Sequence, residues 1–265
     1  MPNDLVCYHV AERIATITMN DPQSLNAIST DMKKALMTAL LDADSNDDVR
    51  VIVLQGGNQN FSSGGDIKEM LENGLESEAL AEKIEAMVSD VAELSLKLRA
   101  IDKPIIAKLE GAVAGAAMNL ALTCDFRIAA NNAKFVQAFV NIGLIPDAGG
   151  IYLLTKLIGA AKTTELVMLG DKLSAADMLN LDLVNEVTNP DTLDERVQSL
   201  AIRLSQKPKK ALATIKDMIN TQAFMGLNEA LDMEVHQQTM MAQTADFKEG
   251  ISAFMEKRAP NYQSN

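Results

Sequence analysis

A chain of 265 residues, 48% of them hydrophobic, can form one large domain, or one domain with a smaller appendage. Its net charge of −12 argues against nucleic acid or an anionic membrane as the main partner. Two histidines argue against a histidine-rich metal site and a Ser-His-Asp triad, and two cysteines fit a reducing compartment. No apolar run is long enough to span a membrane and the N-terminus lacks a signal pattern, so we expect a cytoplasmic protein.

Short strands alternate with amphipathic helices before residue 104. The sequence predicts a hairpin of two strands over 5–10 and 14–19, a helix over 30–44 and a buried strand over 49–54. A polar glycine-rich loop at 55–66 and a long helix over 77–100 are predicted to follow. Ser29 and Ser77 are good N-caps for the two helices.

The stretch PIIAKLEGAVAGAAMNLALTCD, residues 104–125, predicts a strand, a turn and a helix in close succession. Pro104 to Leu109 is apolar, Gly111 to Gly115 indicates a tight turn, and Ala116 to Leu122 is typical of a small-residue helix. A strand that enters a helix in this way leaves backbone N–H groups and the positive end of a helix dipole free for a phosphate or an oxyanion. Close packing through glycine and alanine explains the stretch equally well.

A similar order of strand, glycine-rich loop and helix occurs again further on. A strand is predicted over 126–130, and residues 135–143 lead through the loop 145–150 into a helix over 151–158. From Ala160 onward the pattern is almost entirely helical. We therefore predict an α/β body over 1–200 and a helical segment over 201–265.

Five motifs in register resemble the crotonase (enoyl-CoA hydratase/isomerase) superfamily. They are Leu25-Asn26-Ala27, NFSSGGDI at 60–67, the segment 111–125, IGLIPDAGG at 142–150, and FMEKR at 254–258. The resemblance implies a spiral of ββα units whose helical C-terminal segment builds a homotrimer, or a hexamer made of two trimers. It also implies acyl-CoA thioester substrates, with coenzyme A as part of the substrate and no separate cofactor or metal.

The resemblance places an oxyanion hole at the backbone N–H groups of Gly65 and Ala116. A thioester oxygen must come within roughly 3 Å of each amide nitrogen, so small side chains are expected there. The positions of the two glutamates of the usual hydratase are occupied by Asn119 and Phe139, neither of which exchanges a proton at neutral pH. This argues against hydratase chemistry.

Asp147 stands where several isomerases of the family carry their single acid. One base suffices to take a proton from C2 of a 3-enoyl thioester and return it to C4, so we expect a Δ3,Δ2-enoyl-CoA isomerase. The residue is equally placed to cap the following helix. Alternative functions are an aryl- or acyl-CoA dehalogenase or hydrolase with Asp147 as nucleophile, a hydratase with atypical residues, and a non-catalytic acyl-CoA-binding protein.

The resemblance also implies a set of substrate-binding residues. Some lie early in the chain and some near its end, and the set consists of Leu25, Asn26, Ser63, Asp66, Ile67, Lys68, Phe139, Phe254 and Lys257. Phe254 and Lys257 match a pair that reaches the CoA of a neighbouring subunit, with the lysine near a phosphate. A solvated helix end explains Lys257 as well.

Overall fold

The computed structural model describes residues 5–72, 74–75 and 79–263, and this part of the chain forms an α/β fold. Its strands are β1 (Val6–Ala11), β2 (Ile14–Met19), β3 (Val51–Gly56), β4 (Ile105–Leu109), β5 (Ala112–Ala114), β6 (Phe126–Ala130), β7 (Lys134–Val136), β8 (Lys172–Ser174) and β9 (Glu186–Thr188). Its α-helices are α1 (Thr30–Ser45), α2 (Ile67–Met70), α3 (Leu80–Ala100), α4 (Ala116–Thr123), α5 (Gly150–Leu169), α6 (Ala175–Asn180), α7 (Pro190–Ser205), α8 (Lys209–Ala223), α9 (Leu227–Met241) and α10 (Ala245–Glu256). A 3₁₀ helix, Ala138–Ile142, follows β7.

The larger sheet places two glycine-rich loops side by side. Its strand order is β1-β2-β3-β4-β6-β9; only β1 and β2 run antiparallel, and the other neighbours are parallel. Because the carboxyl ends of parallel strands lie at one edge, the loops after β3 and β4 leave the sheet together. A bridge between Ser62 and Val113 joins them directly.

A smaller sheet of order β5-β7-β8 lies beyond that edge. The prediction of a tight turn over Gly111 to Gly115 is wrong, because Ala112–Ala114 is a strand that pairs in parallel with β7. The φ angles of Gly111 and Gly115, 58° and 51°, place the turning points at its two ends. Two short bends thus replace the single predicted turn.

The second half of the chain is less helical than predicted. β8 completes the small sheet and β9 pairs with β6 at the edge of the large one, and the largely helical pattern predicted after Ala160 did not include these two strands. Both strands have three residues, too few to show an alternating pattern. The predicted helix over 151–158 continues to Leu169 through a non-helical Gly159.

Most predicted elements of the first half are present. Ser29 caps α1 by accepting the Met32 N–H, as predicted, whereas Ser77 lies outside the described residues. Helix α7 packs Leu193, Val197 and Ala201 on one face of the large sheet, and the predicted division at residue 200 falls inside this helix. Among the described residues, no helix is both long and apolar enough to cross a membrane.

Candidate active site

A pocket lies where the two glycine-rich loops meet helices α1 and α3. The space among its lining atoms, counted out through the open mouth, is about 770 Å³. Its described lining residues are Ile28, Lys33, Ser63, Gly64, Gly65, Ile67, Met70, Ile84, Met87, Val88, Val91, Ala114, Gly115, Ala116, Ala138, Phe139, Ile142, Leu144, Asp147 and Gln238. Most are apolar, and Lys33 and Asp147 are the charged side chains among them.

Gly65 and Ala116 bring two backbone N–H groups to this pocket. Ala116 is the first residue of α4, where an N–H has no partner within the helix. No hydrogen bond joins either N–H to another residue of the described chain. The two groups are therefore free to donate to a ligand in the pocket, and an oxyanion hole requires two such donors.

The glycine at position 65 is required neither by backbone conformation nor by packing. Positive φ occurs at its neighbour Gly64, at 90°, and not at Gly65. A Cβ built on Gly65 meets no atom within 4 Å, so it would stand in open space beside the lining of the pocket. A ligand that approaches the amide closely would account for the missing side chain.

Asp147 contributes a buried carboxyl group. The side chain is 8% exposed, and its Oδ1 has no hydrogen-bond partner among the described residues. Burial raises the pKa of Asp147 to about 7, although the positive charge of Lys33 and the residue's own backbone N–H act in the opposite direction. A carboxyl group with this pKa can accept and return a proton near neutral pH.

Asp147 does not cap helix α5, so the alternative interpretation of this residue is wrong. The N-cap is Gly149, in the left-handed conformation, and no side chain of its own segment caps the helix. The carboxylate comes instead from Glu234 on α9, whose Oε2 accepts the Gly149 N–H at 2.7 Å. The Ile151 N–H also interacts with this carboxyl group, and both donors act to lower its pKa, against the larger effect of burial.

Further side chains fix the loop that carries Asp147. Gln238 donates to and accepts from the backbone of Ile145, both at 2.9 Å. Ser95 on α3 donates to the Ala148 carbonyl at 3.0 Å. The loop is thus held on two sides by helices that are distant in the sequence.

Asn119, which stands at a glutamate position of the usual hydratase, is part of the same framework. Its Nδ2 donates to the Asp147 carbonyl at 2.8 Å, and its Oδ1 accepts from Gln137 at 2.6 Å. The side chain is fully buried. Both ends of its amide are therefore hydrogen-bonded within the protein. Asp147 is the carboxyl group among the described lining residues of the pocket.

The predicted substrate-binding residues lie in different environments. Phe139, Ser63 and Ile67 line the pocket, and the Phe139 ring lies 3.5 Å from a Cβ built on Gly115. Leu25 is about half exposed, and Lys68 is exposed on α2. Neither Leu25 nor Lys68 is among the described lining residues of the pocket, so their contact with a substrate stays a prediction.

Asn26 and Asp66 hold protein segments together. The Asn26 side chain is buried and donates to the carbonyls of Gly57 and Asn60 at 3.0 and 2.8 Å. Asp66 caps α2 by accepting the N–H groups of Lys68 and Glu69. In this structure both side chains shape the loops around the pocket.

Phe254 and Lys257 lie away from the pocket at the end of α10. The Phe254 side chain is 56% exposed, and Lys257 ends the helix with a φ of 55°. Neither residue lines the pocket of its own chain. A role at a neighbouring subunit's ligand stays a prediction.

Three residues of the site are not predicted from the sequence, namely Lys33, Glu234 and Gln238. Glu234 and Gln238 continue the spacing of Leu227 and Leu231, at 227, 231, 234 and 238, and all four are buried. This helical periodicity would have identified two polar residues on a buried face. Buried polar side chains require partners, and here the partners are the loop amides.

Comparisons with known proteins agree with one another. The sequence model described as enoyl-CoA hydratase/isomerase matches residues 9–265. Trans-2-decenoyl-[acyl-carrier-protein] isomerase of Streptococcus mutans is 36% identical over 97% of each chain, and 1,2-epoxyphenylacetyl-CoA isomerase of Escherichia coli is 33% identical over 98% of each. The crystal structure of an enoyl-CoA hydratase from Mycobacterium avium subsp. paratuberculosis has a TM-score of 0.88 at 28% identity, over 99% of this chain and 100% of that one.

Proposed function

We propose that this protein, which belongs to the enoyl-CoA hydratase/isomerase family, shifts a double bond of an acyl-CoA from C3 to C2. The predicted crotonase-like fold is confirmed by the structural similarity, and an enzyme of this family acting on acyl-CoA follows from membership. Hydratases and isomerases both occur among its relatives. The choice between these reactions therefore rests on the pocket.

The observation that carries the proposal is a buried carboxyl group, Asp147, on the same pocket as two unpaired backbone amides. In the proposed reaction, the thioester oxygen accepts hydrogen bonds from Gly65 and Ala116. The Asp147 carboxylate removes a proton from C2, and the electron pair of that C–H bond delocalises over a dienolate. The same carboxyl group then returns the proton to C4, so protons and electrons balance without a co-reactant.

The electrostatic part of this mechanism belongs to the two amides. Each donor to a developing oxyanion typically contributes about 3–4 kcal/mol to transition-state stabilisation. The apolar lining excludes water, which strengthens these hydrogen bonds. Hydration would need a water molecule activated by a second acid or base, and Asn119 and Phe139 supply neither.

The decisive experiment compares the wild type with Asp147→Asn on a 3-enoyl-CoA. We expect wild-type conversion to the 2-enoyl product, and a fall in kcat of about 10²- to 10⁴-fold in the variant. The wild-type kcat/KM should rise with pH through about 7, because the base is active only when it is ionised. Full turnover by Asp147→Asn would contradict the proposal.

Two further substrates separate the alternatives. The Streptococcus mutans relative is named for a thioester on acyl carrier protein, so the same 3-enoyl group is offered on that carrier and on CoA. A 2-enoyl-CoA without its 3-enoyl isomer tests for hydration. Binding of acyl-CoA without conversion of any substrate would favour a non-catalytic protein.

A further inference from the structure

Lys33 lies between the pocket and a second cavity on the protein surface. This outer groove, between α1 and α3, is lined by Lys33, Lys34, Met37, Thr38, Asp90, Glu93 and Leu94. Of the described residues, Lys33 alone lines both cavities. Its side chain is only 3% exposed, so it fills the seam between the two helices.

Contacts with α3 hold this side chain in place across the seam. The Nζ of Lys33 donates to the Met87 carbonyl at 3.0 Å and forms an ion pair with Asp90 at 3.0 Å. Asp90 itself is 43% exposed, whereas the Lys33 side chain is almost fully buried and its charge still acts on Asp147 in the pocket. The side chain thus stands between the pocket and the outer groove, with its amine held by two partners on α3.

We propose that the Lys33 side chain is the end wall of the acyl-binding pocket and limits the length of the acyl chain that the protein accepts. The inference rests on the proposed function, because it requires an acyl thioester in this pocket. Each methylene buried against the apolar lining adds about 0.8 kcal/mol, which is about fourfold in affinity. This gain ends at the chain length that reaches Lys33.

The end wall predicts a particular response to truncation. Lys33→Ala removes every side-chain atom beyond Cβ and joins the pocket to the outer groove. The variant should then also accept acyl thioesters with longer chains, whose ends pass between α1 and α3. Lys33→Met keeps a side chain of similar length without the charge, so the wall remains.

The test measures the affinity of saturated acyl-CoAs from hexanoyl to hexadecanoyl by calorimetry, without turnover. For the wild type and Lys33→Met we expect affinity to rise about fourfold per methylene and then to level off at one chain length. In Lys33→Ala the levelling should move to longer chains, with Lys33→Val in between. Lys33→Val also decides the question if Lys33→Ala fails to fold.

Lys34→Ala is the matched control, because Lys34 lines the outer groove but not the pocket. It should keep the wild-type profile. Identical profiles for wild type, Lys33→Val and Lys33→Ala would overturn the end wall and leave the acyl-CoA function standing. If the wild type binds no acyl-CoA of the series, the proposed function fails and the end wall with it.

Discussion

Gly64 and Gly65 lack a side chain for different reasons. Glycines are usually retained for a positive φ or for close packing, and at position 65 neither applies. Its neighbour Gly64 shows both, with a φ of 90° and an added Cβ only 2.7 Å from the Ala114 carbonyl oxygen. The fold therefore requires a glycine at position 64 but not at position 65.

Gly65→Ala should lower activity without lowering stability. The new methyl group is added next to the proposed oxyanion donor, at a residue that lines the pocket, so we expect a loss in kcat/KM of at least tenfold. The free energy of unfolding should be unchanged or higher by about 0.4–1 kcal/mol, because alanine restricts the unfolded chain. Urea unfolding and isomerase assays measure the two quantities.

Gly64→Ala is the control, since it should destabilise the protein through strain at a positive φ. Equal destabilisation by both substitutions would show that Gly65 is needed by the fold. Unchanged activity of a stable Gly65→Ala protein would argue against a ligand at this amide.

At the scale of elements, α9 positions the loop that carries Asp147. Glu234 binds the N-terminus of α5, and Gln238, one helical turn further, binds Ile145. Burial, with a smaller contribution from the charge of Asp147, raises the pKa of Glu234 to about 8. Near pH 7 its oxygen is thus used as a hydrogen-bond acceptor more than as a negative charge.

Glu234→Ala should therefore impair catalysis, and Glu234→Gln should restore most of it. Alanine leaves the buried Gly149 N–H without an acceptor, which costs about 1–3 kcal/mol and loosens the loop. We expect kcat to fall about tenfold or more while KM for the acyl-CoA changes little. Glutamine keeps an oxygen that can accept the same N–H.

Steady-state kinetics of the two variants measure kcat and the KM for the acyl-CoA. If Glu234→Gln is as impaired as Glu234→Ala, the negative charge matters and the positioning role is wrong. If both equal the wild type, the loop does not depend on this contact.

Sequence patterns predicted the long elements of this fold well and the short ones poorly. Helix α1, with its Ser29 cap, and the strands of the hairpin have enough residues to show their period. β5, β8 and β9 have three residues each, and their pairing depends on distant partners such as β7 and β6. Tertiary contact, which a local pattern does not contain, forms these strands.

The same limit applies to the site as a part of the whole molecule. Gly65, Ala116 and Asp147 were identified because local motifs mark them, and the structure places all three on one pocket. Lys33 and Glu234 act across more than fifty residues of chain, through Met87 and Gly149. Helical spacing places Glu234 on a buried face, but its partner, like the partners of Lys33, depends on how α1 and α9 pack.

The buried acids predict how the stability of the whole molecule depends on pH. The pKa of Asp147 rises from 3.8 to about 7 in the folded state, so the folded protein holds a proton that the unfolded chain has lost between these values. Stability must then fall as pH rises through this window. Asp147→Asn removes the effect, because its amide does not ionise.

We expect urea unfolding to show Asp147→Asn gaining stability relative to wild type between pH 5 and pH 8, by on the order of 2–4 kcal/mol. The gain should appear mainly below pH 7, where the unfolded chain is ionised and the folded carboxyl group is not. Asp31→Asn is the comparison substitution, because it makes the same chemical change at an exposed position outside the buried site. A difference between wild type and Asp147→Asn that stays constant with pH would mean that the carboxyl group of Asp147 is solvated, and the proposed base would lose its physical foundation.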